Sequence, residues 1–167
     1  LIRDFTDREA VLLCLLFEEA AERRGAARIT RLGAAARIRQ RLELHALFEH
    51  MSFRAVGRHR SKQVTLYRQG DVNFIVNAEP GSHGARFSQA HGPSACAMAF
   101  RVKNAGTAYR ELLARGAKPF HNSVGPMELN IPAIEGVGGS LIYLVDRYGE
   151  HSIYDVDFLP TELERGF

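Results

Sequence analysis

The order of secondary-structure signals between residues 94 and 158 constrains the fold of this chain more than any other feature. Ser94 to Val102 is a nearly continuous run of small apolar residues, which is typical of a buried strand. A helix is predicted over 105–115, where Gly116 ends it. Three more strands are predicted at 117–121, 141–146 and 152–158, with a long loop rich in Gly and Pro over 122–139. This order is a βαβββ unit.

The preceding residues repeat most of that order. Four apolar residues with helical spacing predict a short helix over 44–51: Leu44, Leu47, Phe48 and Met51. Strands are predicted at 53–58, 63–68 and 72–77, and the last two are joined by a Gly70-Asp71 hairpin turn. Residues 85–90 are predicted to form a brief helical turn. The sequence therefore predicts two βαβββ units, the first of which lacks its opening strand.

The first 42 residues differ in composition from the rest. They hold nine arginines and six acidic residues, and this excess equals the formal charge of +3 of the whole 167-residue chain. All three lysines and all five tyrosines lie after residue 42. Three parts are therefore expected: an Arg- and Ala-rich helical extension (1–42), a paired βαβββ domain (43–160) and a tail (161–167).

Two helical signals occur inside this extension. Thr6-Asp7-Arg8-Glu9 has the form of a capping box, and good helix formers follow to about Arg24, so a first helix is expected there. Residues 26–41 are expected to form a solvated basic helix or a disordered arm. Their arginines lack interleaved aromatic residues and any known nucleic-acid motif, so no nucleic-acid partner is expected.

The cysteine content and the apolar runs indicate a cytoplasmic protein. Cys14 and Cys96 each lie in an apolar run, where a thiol is usually a reduced, buried side chain. The longest apolar run, Ala10 to Phe17, has eight residues, whereas a membrane-spanning helix needs about 20. No membrane partner and no secretory signal are therefore expected.

Several stretches resemble one enzyme family. The most distinctive is the run from Gly125 to Gly149, with Gly-Pro-Met-Glu-Leu-Asn-Ile-Pro at its start and Leu-Ile-Tyr-Leu-Val-Asp-Arg-Tyr-Gly at its end. Four more stretches add to it: 53–56, 59–77, 91–102 and 153–158. Over residues 44–160 the chain resembles the N-terminal half of bacterial 4-hydroxyphenylpyruvate dioxygenase, a member of the vicinal oxygen chelate superfamily.

The resemblance implies an α+β fold of two βαβββ modules, whose curved sheets form an open cup. It also implies an enzyme of tyrosine breakdown, which converts 4-hydroxyphenylpyruvate to homogentisate with non-haem Fe(II). In that family two histidines and one glutamate hold the iron. All three are expected in the C-terminal half, which would begin near Phe167, so no catalytic, cofactor-binding or metal-binding residue is assigned to this chain.

Members of the family open the first module with an apolar strand, and nothing similar is evident in residues 1–42. A rearranged gene or a reading-frame change would explain the difference. Whether an intact strand is encoded in another frame tests that hypothesis at the DNA level.

The histidines do not form an obvious metal site. His45 and His50 are five residues apart on one helix, which places them about 140° apart around its axis. The other five are expected in loops or at strand ends, where histidine is usually solvated: His59, His83, His91, His121 and His151. In metal-bearing modules of the superfamily, a His on the first strand and a Glu on the last are usual. The stretches taken to correspond, 95–98 and 154–157, contain neither.

Other polar motifs have ordinary structural interpretations. Gly136-Val137-Gly138-Gly139 precedes a strand, so we interpret it as a tight turn rather than a phosphate-binding loop. Ser94 and Ser140 lack a nucleophile motif. Glu128 and Glu135 flank Asn130 in a polar loop, for which contact with a ligand and contact with the missing half are the two alternatives, and a partner contact is favoured.

Three functions are compatible with these observations. The first is the non-catalytic N-terminal domain of a 4-hydroxyphenylpyruvate dioxygenase, inactive alone and partnered by a C-terminal catalytic half. The second is a metal-free module that binds a small aromatic or 2-oxo acid ligand. The third is a structural dimerisation partner, in which residues 10–17 mediate association with another copy.

Overall fold

Nine strands form one mixed sheet in the part of the chain that the computed structural model describes. The described residues are 12–16, as backbone, and 43–92, 94–121, 129–149 and 151–161 with their side chains. Within these ranges no helix is both long and apolar enough to cross a membrane.

The first module is a complete βαβββ unit. Its elements are β1 (Leu12–Leu16), α1 (43–50), β2 (Arg54–His59), β3 (Val64–Gln69) and β4 (Val72–Asn77). In the sheet the strands lie in the order β1-β4-β3-β2, with β1 parallel to β4 and the other pairs antiparallel. A parallel pair needs a long crossover, which α1 and the hairpins provide here.

The second module repeats this topology. After the connecting helix α2 (His83–His91) come β5 (Ser94–Arg101), α3 (Ala105–Ala114), β6 (Pro119–Phe120), β7 (Ala133–Glu135) and β8 (Leu141–Val145). The order in the sheet is β5-β8-β7-β6, with β5 parallel to β8. The internal duplication predicted from element order is therefore confirmed.

The two modules join through their first strands. Strand β1 pairs antiparallel with β5, with Leu13 opposite Met98, and its other edge pairs with β4, with Leu13 opposite Phe74. The register to β5 shifts between Cys14 and Leu15. Both edges of β1 are thus hydrogen-bonded, and the sheet is continuous from one module to the other.

The chain then returns to the far edge of the first module. Helix α4 (Ile153–Asp157) leads into β9 (Phe158–Pro160), which pairs antiparallel with β2. Thr161 extends this edge, because its backbone N–H and hydroxyl donate to the carbonyls of Val56 and Ala55.

Helices α1 and α3 cover one face of the sheet. Phe48 of α1 is 2% exposed and packs against Phe53, Tyr67 and Val76, with the Phe74 ring stacked at 5.0 Å between centroids. A second cluster joins α3 to the sheet of the second module: Val102, Ala105, Ala108, Leu112 and Leu144. The helix predicted over 44–51 is confirmed, although Leu47 and Met51 of its apolar set remain exposed.

Helix α3 begins and ends as its sequence predicts. The Asn104 side chain accepts a hydrogen bond from the Thr107 backbone N–H at 2.7 Å, which satisfies one free amide of the first turn. Gly116 follows the helix with a φ of 92°, a conformation that favours glycine. The carboxylate of Asp146 accepts from the Ala105 backbone N–H and ties this helix start to the end of β8.

The prediction that the first module lacks its opening strand is wrong, because β1 supplies it. The helix expected from residue 6 to 24 is also wrong over 12–16, and the remainder of residues 1–42 lies outside the described part. A short, fully apolar run fits a strand buried inside a sheet as well as a helix, and periodicity does not separate the two. Pairing on both edges decides the outcome here.

Two further elements differ from prediction. The loop predicted over 122–139 contains β7, whose Ala133 and Ile134 are buried opposite β8. The strand predicted over 152–158 is instead α4 followed by β9. Its alternating pattern is overridden at the helix start, where the Asp155 carboxylate accepts from the Ser152 backbone N–H at 2.7 Å.

Replacing Phe48 by alanine tests the α1 contact. We expect Phe48→Ala to lower the free energy of unfolding by about 3–5 kcal/mol, because it leaves a cavity among aromatic rings. The matched control is Leu47→Ala on the exposed side of the same helix, which should change it by less than about 0.5 kcal/mol. Urea denaturation measures both, and equal effects of the two variants would contradict this packing.

Candidate functional site

The face of the sheet opposite α1 and α3 carries two cavities that the described residues line. Ile153 and Tyr154 of α4 pack on this face, together with Leu129 and Ile131 of the loop before β7. They cover Ala99 of β5 and Val145 of β8. Two cavities lie beside this contact, and Ile153 and Tyr154 line both of them.

The first, which we call the arginine cavity, has a volume of about 290 Å³. Its charged and aromatic lining residues are Arg68, Asp71, Phe100, Arg101, Arg147, Tyr148, Tyr154 and Asp155. Arg68 and Arg101 each lie near the end of a strand, on the face that α4 packs against. Its arginines and tyrosines were not singled out by the sequence analysis. One signal in the sequence could have indicated them. Arg68 and Arg101 each continue a series of apolar residues at every second position of a strand, where a buried side chain is expected.

Hydrogen bonds and rings hold these side chains in place. The Arg68 Nε–H donates to Asn73 Oδ1 at 2.9 Å, and Asn73 is itself only 6% exposed. The Arg68 guanidinium carbon lies 5.6 Å from the Tyr154 ring centroid, and that of Arg101 lies 5.5 Å from the Tyr148 centroid. These are cation–π distances.

The Tyr154 hydroxyl remains protonated across the physiological range. Burial raises the pKa of Tyr154 to about 12, and the nearby Arg68 and Arg101 offset this only in part. A neutral phenol donates a hydrogen bond, so Tyr154 can serve as a donor at neutral pH.

The second, which we call the histidine cavity, has a volume of about 180 Å³. Its polar lining residues are His59, Asn77, Asn130, Tyr143, Tyr154 and Asp157. The Nδ1 atom of His59 accepts from the backbone N–H groups of Ser61 and Lys62, both at 3.2 Å. These contacts fix the ring, which meets Phe158 edge-on at 5.4 Å between centroids.

Neither cavity offers the donors of a facial iron triad. The histidine cavity has one imidazole and one carboxylate, His59 and Asp157, whereas the triad needs two histidines and a carboxylate. Among the described residues no group of three or more His, Cys, Asp or Glu side chains could hold a metal ion. The residues seen here therefore do not fit iron.

The comparison of strands with metal-bearing modules needs one correction. Residues 154–157 are not the last strand of a module, because they form α4. The last strand is β8, and its sequence Leu-Ile-Tyr-Leu-Val contains no glutamate. Its first-strand counterpart β5 contains no histidine. The assignment of no site residue in this chain stays a prediction.

His83 differs from the solvated histidine that its loop-like sequence suggested. It begins α2, packs edge-on against Phe120 at 5.0 Å between centroids, and its buried Nε2 has no hydrogen-bond partner among the described residues. Burial lowers the pKa of His83, and the Arg86 charge lowers it further. A hydrogen bond to the Gly139 backbone and the Glu135 charge act in the opposite direction.

The glycine cluster is a tight turn, as predicted. Val137–Gly139 forms a single 3₁₀ turn in which Gly138 and Gly139 have φ angles of 66° and 81°. The Ser140 hydroxyl donates to the Val137 carbonyl at 2.7 Å and closes the turn. Of the loop residues considered earlier, Asn130 lines the histidine cavity, Glu135 is exposed, and Glu128 lies outside the described residues.

Comparison with known proteins now identifies this arrangement. The family model described as "Hydroxyphenylpyruvate dioxygenase, HPPD, N-terminal" matches residues 32–159. The chain belongs to this family. Its fold is the glyoxalase-like, vicinal oxygen chelate fold expected from the resemblance, and the match begins ten residues before the boundary predicted at 42.

Two curated relatives each align over about 70% of the chain. A 4-hydroxyphenylpyruvate dioxygenase of Pseudomonas sp. (strain P.J. 874) is 56% identical over 120 residues, which cover 71% of this chain and 34% of that protein. Hemolysin VllY of Vibrio vulnificus (strain CMCP6) is 55% identical over 116 residues, covering 70% of this chain and 32% of the relative. The chain thus spans about a third of the length of these two relatives.

A solved structure extends the agreement to almost the whole chain. It is a "xylose isomerase-like TIM barrel/4-hydroxyphenylpyruvate dioxygenase fusion protein" with a TM-score of 0.70 and 37% identity. The similarity covers 92% of this chain and 22% of that one.

The partly buried His83 predicts that this domain loses stability as the pH falls below neutral. Its folded-state pKa is lowered, so the unfolded chain binds a proton more readily. The contribution of neutral His83 to the free energy of unfolding is therefore fully present above the ordinary histidine pKa of about 6.5. It is lost as the pH falls through the folded-state pKa. We expect His83→Gln to flatten this part of the stability curve.

Urea denaturation at a series of pH values between 7 and the acid limit of folding measures that slope. His50→Gln is the matched control, because it removes an exposed imidazole on α1 that lies far from this contact in the sequence and the fold. An unchanged slope in His83→Gln would show that His83 does not carry the effect.

Proposed function

We propose that this chain is the non-catalytic N-terminal domain of a 4-hydroxyphenylpyruvate dioxygenase and has no dioxygenase activity by itself. The observation that carries the proposal is the family match over residues 32–159, together with cavities that lack a three-donor iron set among the described residues. In this proposal Fe(II) and the residues that bind it belong to a C-terminal catalytic half.

The domain's proposed contribution is structural. A continuous sheet covered by helices on one face provides a rigid surface against which a second half can pack. Three exposed apolar side chains are suited to such contacts: Leu47 on α1 at 51%, Met51 just after α1 at 43%, and Val137 on the glycine turn at 94%. We propose that the partner is the catalytic half or another copy of the domain, in the cytoplasm.

An activity assay of the 167-residue protein tests the proposal. With Fe(II), ascorbate and 4-hydroxyphenylpyruvate, we expect no homogentisate above the protein-free rate and less than stoichiometric bound iron. A full-length 4-hydroxyphenylpyruvate dioxygenase is the positive control. Stoichiometric iron with turnover by the isolated protein would overturn the proposal.

Addition of a separately produced C-terminal half of a homologous dioxygenase extends the test. Activity that appears only when the two parts are combined supports a complementing domain. Activity of the C-terminal half that is the same with and without this chain would show that the domain contributes nothing to turnover.

A second candidate is a metal-free binding module for a small aromatic or 2-oxo acid. The arginine cavity favours it, because cationic side chains, aromatic rings and apolar residues line one concave space. Binding without turnover is compatible with the first candidate as well, since a domain can hold a ligand and still depend on another half for catalysis.

A further inference from the structure

The two modules direct arginines towards the same end of the sheet. Strands β3 and β5 are both antiparallel to the direction of β1 and β4, so they run the same way. Arg68 is the fifth of six residues in β3, and Arg101 is the last residue of β5. Both line the arginine cavity, although two strands separate β3 from β5 in the sheet.

Aromatic side chains from the returning segment complete the cavity wall. Tyr148 follows β8 and faces Arg101, and Tyr154 belongs to α4 and faces Arg68. A guanidinium carries five N–H donors in a planar fork, so it can stack on a ring and bind acceptors along its edge. Both guanidinium groups line the cavity beside a tyrosine ring, and the Arg68 Nε–H also donates to Asn73 Oδ1.

The charge of the described lining is positive. Three arginines, Arg68, Arg101 and Arg147, line the cavity together with two acidic residues. One of these, Asp155, accepts the Ser152 backbone N–H at the start of α4, so its carboxylate already has a structural role. Asp71 lies in the exposed hairpin turn between β3 and β4. Arg147 is exposed as well, whereas Arg68 and Arg101 are partly buried.

Apolar groups give the cavity a second character. Ala99, Val145 and Ile153 line it beside the two tyrosine rings. Ligand sites typically combine an apolar wall with a few polar groups that fix orientation, and their volume begins near 300 Å³. A space of about 290 Å³ therefore accommodates a small molecule with one charged end.

We propose that the arginine cavity is a binding site for a small carboxylate with an aromatic or aliphatic body, held at its charged end by Arg68 and Arg101. Arginine forks match the planar, two-oxygen geometry of a carboxylate. The tyrosine rings and the aliphatic wall contact the body. This site deepens the binding-module candidate and does not depend on where the iron of the family is bound.

Titration of the 167-residue protein with benzoate, followed by ¹⁵N NMR including the arginine Nε signals, tests the proposal. We expect saturable shifts at Arg68 and Arg101. Benzamide has the same shape without the charge, so it should bind at least tenfold more weakly. Inorganic phosphate should also bind at least tenfold more weakly, since it offers no apolar body.

Substitutions locate the site. Arg101→Gln should weaken benzoate binding at least tenfold, and Arg101→Lys should recover part of the loss because it retains the charge but not the fork. The matched control is Arg110→Gln on the exposed surface of α3, where the guanidinium donates to the Thr107 hydroxyl at 3.1 Å, and it should leave binding within twofold of wild type.

The outcomes separate the alternatives. Benzoate shifts that persist unchanged in Arg101→Gln, with the variant's unfolding temperature equal to wild type, would overturn the site. Equal affinity for benzoate and phosphate would overturn the assignment to carboxylates with an apolar body. Loss of benzoate binding without any change in dioxygenase complementation would show that the ligand site and the proposed catalytic partnership are separate.

Discussion

The pairing of β1 with both β4 and β5 is the interaction on which the rest of the fold depends. Each module places its first strand beside its last, and the two first strands then pair with each other. Without β1, the sheet would divide between β4 and β5, and each part would expose a strand edge. The five residues of β1 therefore join the two modules into one sheet.

This continuity also separates a helix-covered face from a face with cavities. Helices α1 and α3 bury one face in aromatic and aliphatic clusters. The other face receives α4 and the loop before β7, whose side chains divide it into an arginine cavity and a histidine cavity. Because Ile153 and Tyr154 occupy the space between them, the described part of this face presents two small sites instead of one large cup.

Local sequence patterns predicted much of this fold and little of the site. The strands β2 to β5 and β8, the helix α3 and the glycine turn follow from alternation, capping and glycine positions. Strand β1 and the segment 152–158 were not predicted correctly. A short apolar run and a brief alternation are each compatible with a helix or a strand, and tertiary contacts decide between the two. The arginine cavity joins residues from both modules and α4, and no pattern within one segment shows that Arg68, Arg101 and Tyr154 lie together.

Hydrogen exchange at β1 tests the central role of this strand most directly. If β1 lies between β4 and β5, the backbone amides of residues 12–16 should be protected as strongly as those in the middle of β5. They should lose protection only together with the sheet, because both edges of the strand are paired. Rapid exchange of residues 12–16 while β4 and β5 stay protected would contradict the account, since the two modules would then be joined in another way.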